Sequence, residues 1–184
     1  MMRIIAGTRR GKKLSTLEGE DTRPTLERLK QALFSAIQFE LADRYVLDLF
    51  AGSGQLGLEA LSRGAAFCHF NDSSPAAMNI IRRNIRDCAF ENHAKETCID
   101  YTMCVKMIER DPRKPDLVFL DPPYHKGMAE DALALLAPIL PEGALVAVET
   151  ASDETFPLAG LALRKEYRQG SVKITLLEKR RNEG

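Results

Sequence analysis

Asp121, Pro122, Pro123 and Tyr124 form a tetrapeptide that combines a carboxylate, a rigid backbone and an aromatic ring. Two successive prolines fix the backbone and remove two amide donors, so the polar groups left there are mainly acceptors. Acceptors suit an exocyclic amine, because accepting both N–H hydrogens localises its lone pair on the nitrogen. We predict that Asp121 and a carbonyl near Pro122 accept these hydrogens while Tyr124 stacks on an unstacked or single-stranded base. In isolation, the four residues could also form only a rigid turn.

A glycine-rich loop, Ala51-Gly52-Ser53-Gly54, follows the apolar run Tyr45–Phe50 and precedes a helical pattern. It matches the GxGxxG pattern of dinucleotide sites, in which Asp72 would be the ribose acid. The glycines by themselves indicate only a ligand close to the backbone at a helix N-terminus. Asp48 distinguishes two cofactors, because beside a pyrophosphate its carboxylate would be repelled by about 4 kcal/mol at roughly 4 Å. The same carboxylate stabilises the ammonium and sulfonium of S-adenosylmethionine, which we therefore predict as the cofactor.

Two further acids follow predicted strands. Asp72 can accept both ribose hydroxyls, and Asp100 can accept the adenine amino hydrogen with Tyr101 or Ile99 against the ring. Either acid could instead only cap the helix that follows it. The residues predicted from these patterns to bind the cofactor are Asp48, Phe50, Ala51, Gly52, Ser53, Gly54, Asp72, Ser73, Asp100, Tyr101 and Asp121.

Alternating strand and helix patterns predict the elements that position these residues. Buried strands are predicted over Tyr45–Phe50, Phe67–Phe70, Thr97–Ile99, Asp116–Leu120 and Ala144–Val148. Helices are predicted over Leu26–Phe39 and Leu56–Arg63, from Ser74-Pro75 onward, up to about Arg110, and over Met128–Leu140. Hairpins are predicted over Met2–Leu17 and, at the carboxyl end, from Leu161–Tyr167 and Ser171–Leu177. The pattern predicts an α/β fold with a mainly parallel, doubly wound sheet and an antiparallel edge.

Composition and charge limit the function classes. The chain of 184 residues is long enough for one domain with a sizeable core. Its net charge of zero hides eight Lys/Arg against four Asp/Glu in residues 1–30, seven against three in 161–184, and eleven against nineteen between them. Basic ends suit a polyanionic partner and an acidic centre suits a cationic ligand, although charged termini can also be merely solvated.

The sequence also carries expectations about location. The longest apolar stretches, such as Leu133–Leu140, fall far short of the roughly 20 residues of a membrane span. The start does not resemble a signal peptide. The four cysteines form no CxxC pair and no metal-ligand spacing with histidine, which favours buried thiols in a reducing cytoplasm. We expect a cytoplasmic monomer with no membrane partner and no metal, and we assign no role to His69, His93 or His125.

Four segments together resemble a known family over nearly the whole chain. They are Met2–Gly7 with Arg10-Gly11-Lys12, Thr22-Arg23-Pro24-Thr25 with Arg28 and Ala32-Leu33-Phe34, Leu47–Ala65, and Phe119–Tyr124. They are similar to the bacterial small-subunit (16S) ribosomal RNA guanine-N2 methyltransferases of the RsmD type. The final tetrapeptide would also fit adenine-N6, cytosine-N4 and glutamine-N5 methyltransferases, whereas the Arg-Pro-Thr segment joined to the glycine loop is more specific.

The resemblance implies a Rossmann-like class I methyltransferase fold of seven strands over residues 41–184. Residues 1–40 would form a small basic extension. Arg23 and Thr25 are then expected beside the cofactor, and ribosomal RNA, free or in an assembled small subunit, is the expected partner. The residues that would contact RNA phosphates are Arg3, Arg9, Arg10, Lys12 and Lys13. The sequence departs from the family pattern at Asp72, where glutamate is more usual, and at Tyr167-Arg168-Gln169-Gly170, where a simple Tyr-Gly is usual.

Three alternatives stay open at this point. An adenine-N6 methyltransferase acting on DNA usually carries a separate target-recognition domain, and no stretch here is long enough to be one. A non-catalytic RNA-binding protein on the same scaffold would be expected to lose Asp121 or the glycine loop. A nicotinamide-dependent oxidoreductase is disfavoured by Asp48 and the proline-containing tetrapeptide.

Overall fold

A computed structural model of the chain describes residues 1–19 and 24–180. Within these ranges seven strands form one sheet, and five α-helices connect or precede them. The strands are β1 (Tyr45–Asp48), β2 (Phe67–Asn71), β3 (Ala94–Thr97), β4 (Leu117–Leu120), β5 (Leu145–Ala151), β6 (Ala162–Gln169) and β7 (Val172–Glu178). The helices are α1 (Pro24–Ile37), α2 (Gln55–Ser62), α3 (Pro75–Asp87), α4 (Tyr101–Arg110) and α5 (Met128–Leu136). No helix in these ranges is both long and apolar enough to cross a membrane.

The sheet has the order β3-β2-β1-β4-β5-β7-β6. The first five strands pair in parallel, and β7 lies antiparallel between β5 and β6. The predicted mainly parallel sheet with an antiparallel carboxyl-terminal hairpin is therefore confirmed. Because the strand order reverses between β1 and β4, the carboxyl ends of these two strands border the crevice in which open α/β sheets bind ligands.

Helices cover both faces of the sheet because neighbouring residues of a buried strand point in opposite directions. On β1, Val46 lies in the core formed with α1, α2 and α3, while Leu47 lies in the core formed with α4 and α5. Phe119 and Leu120 alternate in the same way on β4. Both central strands are thus held on two sides, which gives their carboxyl ends a rigid support.

Several element boundaries differ from the sequence expectation, and two of them have a clear physical reason. The third strand is Ala94–Thr97 rather than Thr97–Ile99, because it is an edge strand whose middle residues are exposed and polar, and apolarity was a poor guide to its position. Helix α5 ends at Leu136 rather than Leu140, since Pro138 has no N–H group to continue the helical hydrogen bonds.

The predicted amino-terminal hairpin has a β-bridge between Arg3 and Lys13, with backbone hydrogen bonds from Ile4 N to Lys12 O at 2.9 Å and from Leu14 N to Met2 O at 3.0 Å. The hairpin packs into the core formed with α1, α2 and α3 through its buried residues Met2, Ile4 and Leu14. The buried Glu59 of α2 fastens it further. Its carboxylate accepts hydrogen bonds from the backbone N–H groups of Ile5 and Ala6 at 2.8 and 3.0 Å.

Candidate active site

A cavity of about 530 Å³ lies at the carboxyl ends of the parallel strands. It brings together residues that are far apart in the sequence and that were predicted separately. The predicted site residues that line it are Asp48, Phe50, Ala51, Gly52, Ser53, Asp72, Ser73, Asp100, Tyr101, Asp121, Pro122, Pro123 and Tyr124. Gly54 lies behind the cavity wall, where it precedes α2 with a left-handed φ of 81°. Arg23 and the side chain of Thr25 lie outside what the structure describes.

Asp48 is the buried acid beneath the glycine loop. Its Oδ2 accepts a hydrogen bond from Gly57 N at 3.0 Å, while its Oδ1 is buried without a partner among the described residues. Burial raises the pKa of this carboxyl to about 7, although the Gly57 N–H and the ammonium of Lys30 act in the opposite direction. A buried acceptor oxygen on the wall of a cavity is suited to a cationic ligand, which would favour the ionised carboxylate.

Asp72 holds the glycine loop against the second strand. Its Oδ2 accepts a hydrogen bond from Gly52 N at 2.9 Å, and its Oδ1 accepts one from Ser74 N at 2.9 Å. Each carboxylate oxygen has a second lone pair, so these bonds leave acceptor capacity towards the cavity. The cap of α3 is provided by Ser74, whose hydroxyl accepts from Ala77 N. Asp72 is therefore positioned both to shape the loop and to accept ligand hydroxyls.

Asp100 and Tyr101 form the far end of the cavity. Asp100 caps α4 by accepting a hydrogen bond from Thr102 N at 2.9 Å, and its bonds with Thr102 lower the pKa of its carboxyl. The rings of Tyr101 and Phe50 lie 5.2 Å apart at an angle of 43°. This aromatic pair gives the cavity an apolar wall of the kind on which a planar heterocycle can rest.

Asp121 and Tyr124 meet a third residue, Glu149 on β5, which the sequence analysis missed. The hydroxyl of Tyr124 donates to Glu149 Oε1 at 2.6 Å, and Glu149 is only 4% exposed. Burial, followed by the charge of Glu149, raises the pKa of Asp121 well above its ordinary value. The same two causes raise the pKa of Tyr124, so its phenol stays protonated. An acid directly after the predicted strand Ala144–Val148 was the available sequence signal for Glu149.

Lys30 is a second residue that the sequence analysis missed. It lies on α1, lines the cavity and is 7% exposed. Its Nζ donates to Gln55 Oε1 at 3.2 Å. No sequence signal marked it, because a lysine on an amphipathic helix ordinarily faces solvent.

The five basic residues predicted to contact RNA do not share one environment. Arg3, Arg10, Lys12 and Lys13 are exposed on the amino-terminal hairpin. Arg9 is half-buried, because its Nε donates to Cys88 O at 2.6 Å and its guanidinium lies 5.2 Å from the centre of the Phe90 ring. Four of the five are thus free to meet a polyanion, and Arg9 also anchors the hairpin to the region after α3.

Comparison with known proteins identifies the family. Residues 2–178 match the family model described as Conserved hypothetical protein 95. The chain belongs to this family. It is also 38% identical to ribosomal RNA small subunit methyltransferase D of Haemophilus influenzae, over 96% of this chain and 93% of that protein. The family resemblance that the sequence showed is therefore confirmed.

Solved structures give the same picture of the fold. The Escherichia coli protein yhhF superposes with a TM-score of 0.83 at 30% identity, covering 97% of this chain and 98% of that one. An RNA methyltransferase from Salinibacter ruber in complex with S-adenosyl-L-homocysteine superposes with a TM-score of 0.66 at 14% identity, covering 88% and 97%. The fold of this family member is thus the Rossmann-like methyltransferase fold that the sequence predicted.

Proposed function

We propose that this protein transfers a methyl group from S-adenosylmethionine to the exocyclic N2 amine of a guanine in small-subunit ribosomal RNA. The observation that carries the proposal is the cavity that places Asp121 and Tyr124 beside the glycine loop and Asp48. The family relatives named ribosomal RNA small subunit methyltransferase D support the choice of ribosomal RNA as substrate.

The residues of the cavity fit the cofactor. Asp48 has an unpartnered buried carboxylate oxygen for an ammonium, and Asp72 has acceptor capacity for ribose hydroxyls. Phe50 and Tyr101 provide an aromatic wall, with Asp100 at its edge for the adenine amino group. When bound, S-adenosylmethionine supplies an electrophilic methyl group on a sulfonium. A pyrophosphate at the same place would meet Asp48, which argues against a nicotinamide cofactor.

The tetrapeptide suits an amine acceptor. Pro122 and Pro123 have no N–H groups, so Asp121 and the neighbouring carbonyls present acceptors to the two amine hydrogens. Transfer of the methyl group to the nitrogen would leave it with an additional proton, which a neighbouring base must accept. Burial and the charge of Glu149 raise the pKa of Asp121, and a cationic ligand beside it would favour the ionised carboxylate, which can accept that proton.

Glu149 contributes by holding the ring of Tyr124. The 2.6 Å hydrogen bond from the phenol restricts the ring, which can stack on a base taken out of its helix. The exposed basic residues of the amino-terminal hairpin provide phosphate contacts that position the RNA without reading its sequence. An adenine-N6 amine satisfies the same acceptor geometry, so adenine is the second candidate.

The experiment is methyl transfer from labelled S-adenosylmethionine to undermodified small-subunit RNA or ribonucleoprotein, followed by digestion to nucleosides. We expect the label in N2-methylguanosine. Label in N6-methyladenosine would replace guanine by adenine while keeping the chemistry. Absence of label from every RNA, in a protein that binds S-adenosylhomocysteine, would favour a non-catalytic RNA-binding protein.

The variant Asp121→Ala tests the mechanism in the same assay. It should lower transfer by about 10²–10⁴-fold, the range of a lost acid–base group, while S-adenosylhomocysteine still binds. Asp153→Asn is the matched control, because Asp153 is an exposed acid outside the cavity. Retention of transfer by Asp121→Ala would exclude the proposed role of this carboxylate.

A further inference from the structure

The charges on the cavity wall are strongly unequal. Among the described residues that line it, Lys30 is the basic residue and six residues are acidic. The acids are Glu27, Asp48, Asp72, Asp100, Asp121 and Glu149. An excess of acids suits a ligand with two cationic groups, but it leaves the presence of a buried lysine to be explained.

Lys30 has few interactions for a buried charge. Its Nζ has a hydrogen bond to Gln55 Oε1 at 3.2 Å, and it forms no ion pair with any residue in the described ranges. An ammonium has three donors, and a charge taken out of water without an ionic partner is costly. A side chain in this condition on the wall of a cavity is suited to an anionic group of the ligand.

The position of Lys30 identifies which part of the ligand it can reach. Its charge acts on the carboxyls of both Asp48 and Asp121, so it lies near the acid under the glycine loop and near the catalytic tetrapeptide. Gln55, its hydrogen-bond partner, is the first residue of α2, directly after the glycine loop. Tyr101 and Asp100, at the proposed adenine end, lie at the start of α4. Lys30 therefore faces the amino-acid end of the cofactor.

We propose that Lys30 binds the α-carboxylate of the cofactor, an inference that rests on the proposed function for the identity of that cofactor. The ammonium and the carboxylate of the ligand are attached to one carbon, so their protein partners must lie close together. Asp48 and Lys30 form such a pair of opposite charges. Gln55 holds the ammonium of Lys30 through its carbonyl oxygen, and the amide nitrogen of Gln55 remains a donor for the same carboxylate.

A competing explanation is that Lys30 only offsets the charge of the neighbouring acids. The two explanations differ in which ligands respond to loss of the lysine. A carboxylate partner matters for ligands that carry the carboxylate, whereas a general charge effect acts on every ligand in the cavity.

The test measures binding by titration calorimetry of two ligands, S-adenosylhomocysteine and its decarboxylated analogue, which lacks the α-carboxylate but keeps the amine. The protein variants are wild type, Lys30→Met and Lys30→Gln, with Lys106→Met on the exposed face of α4 as the control for loss of a lysine. Thermal unfolding of each variant, without ligand, establishes that it is folded.

We expect Lys30→Met to weaken the binding of S-adenosylhomocysteine by about 10–100-fold, as for a lost charge-assisted hydrogen bond. The decarboxylated analogue should bind Lys30→Met as well as wild type or more tightly, because an ammonium no longer faces its amine. Lys30→Gln should lie between, and Lys106→Met should change neither affinity. If Lys30→Met lowers the affinity for both ligands equally, or for neither, the proposal is overturned.

The outcomes separate this inference from the proposed function. Selective loss of S-adenosylhomocysteine in a protein that methylates no RNA would support the role of Lys30 and contradict the proposed reaction. Transfer to RNA that is accompanied by equal loss of both ligands would support the reaction and contradict the role of Lys30. A wild-type protein that binds neither ligand contradicts both.

Discussion

The phenol oxygen of Tyr124 lies 2.6 Å from Oε1 of Glu149, so the last residue of the Asp121–Tyr124 tetrapeptide is joined to the next strand of the sheet. The other oxygen of Glu149 is buried and has no partner among the described residues. This contact restricts the orientation of the Tyr124 ring on the cavity wall. It also brings a second carboxyl beside Asp121, which raises the pKa of Asp121.

The Tyr124–Glu149 contact predicts strong coupling between the two side chains. Tyr124→Phe should lower kcat/KM for RNA by about 5–150-fold, because it leaves a buried carboxylate without its donor. The double variant Tyr124→Phe/Glu149→Leu should lose much less activity than the sum of the losses in the two single variants. This corresponds to a coupling energy of about 0.5–3 kcal/mol in a double-mutant cycle. The measurement is steady-state methyl transfer, with thermal unfolding to follow stability.

Tyr167→Phe provides the control for that cycle, because the Tyr167 hydroxyl has no described hydrogen-bond partner and lies outside the cavity. The effects of Tyr167→Phe and Glu149→Leu on kcat/KM should be additive. Additive effects of Tyr124→Phe and Glu149→Leu would show that the short contact does not position the ring during catalysis.

The buried Asp48 predicts a pH dependence of stability. Its folded pKa is raised from 3.8 to about 7, so its neutral form is favoured by folding. The stability that this provides is fully present below the unfolded pKa and is lost as the pH rises through about 7. The full effect is about 4 kcal/mol at 1.36 kcal/mol per pKa unit. The pKa of Asp121 is also raised, so its ionisation likewise lowers the stability as the pH rises.

Denaturant unfolding of wild type and Asp48→Asn, at several values between pH 5 and pH 8 and without ligand, isolates this contribution. Asparagine keeps an acceptor for Gly57 N and does not ionise. The free energy of unfolding of Asp48→Asn relative to wild type should therefore increase as the pH rises. A difference that is constant with pH would contradict the raised pKa.

Two glycines of the amino-terminal hairpin predict unequal costs for the same substitution. Gly7 and Gly11 have φ values of +83° and +81°, so alanine is strained at both, by about 1–2 kcal/mol. At Gly7 the added Cβ would also lie 1.8 Å from Ser62 O, whereas at Gly11 it would meet nothing within 4 Å. We expect Gly7→Ala to cost about 1–3 kcal/mol more than Gly11→Ala, because the backbone must move.

Thermal and denaturant unfolding of the two alanine variants measure this difference. The hydrogen bond from Thr8 N to Ser62 O, 2.8 Å long, should be lost in Gly7→Ala, which hydrogen exchange of that amide would report. Equal costs at the two glycines would show that the hairpin is not held tightly against α2.

The exposed basic residues of the hairpin predict a salt-dependent RNA affinity. Each of Arg10→Ala, Lys12→Ala and Lys13→Ala should reduce the slope of log K against log salt by about 0.7–0.9 if it removes one phosphate contact. Arg9→Ala should differ by also lowering stability, since Arg9 bonds to Cys88 O. Lys106→Ala on α4 is the control. Unchanged slopes for all three exposed residues would place the RNA elsewhere on the protein.

The buried strands along the chain and the position of their carboxyl ends were open to prediction from sequence alone, because local periodicity marks buried strands and parallel strands present their carboxyl ends at one edge. The order of the strands in the sheet came from the structure. That reasoning was sufficient to expect Asp48, Asp72 and Asp121 near one another. It failed at β3, where an exposed edge strand has little apolar signal.

The partners of the cavity residues, by contrast, depend on how distant segments pack. Glu149 reaches Tyr124 across 25 residues, and Lys30 reaches Gln55 across 25 residues, through contacts that no local pattern encodes. Burial also converts ordinary acids into groups with raised pKa, since desolvation depends on the neighbours that the fold assembles. Residue type and spacing were therefore enough to predict the fold and the S-adenosylmethionine cofactor, while the ionisation and orientation of the groups in the cavity follow from the tertiary packing around them.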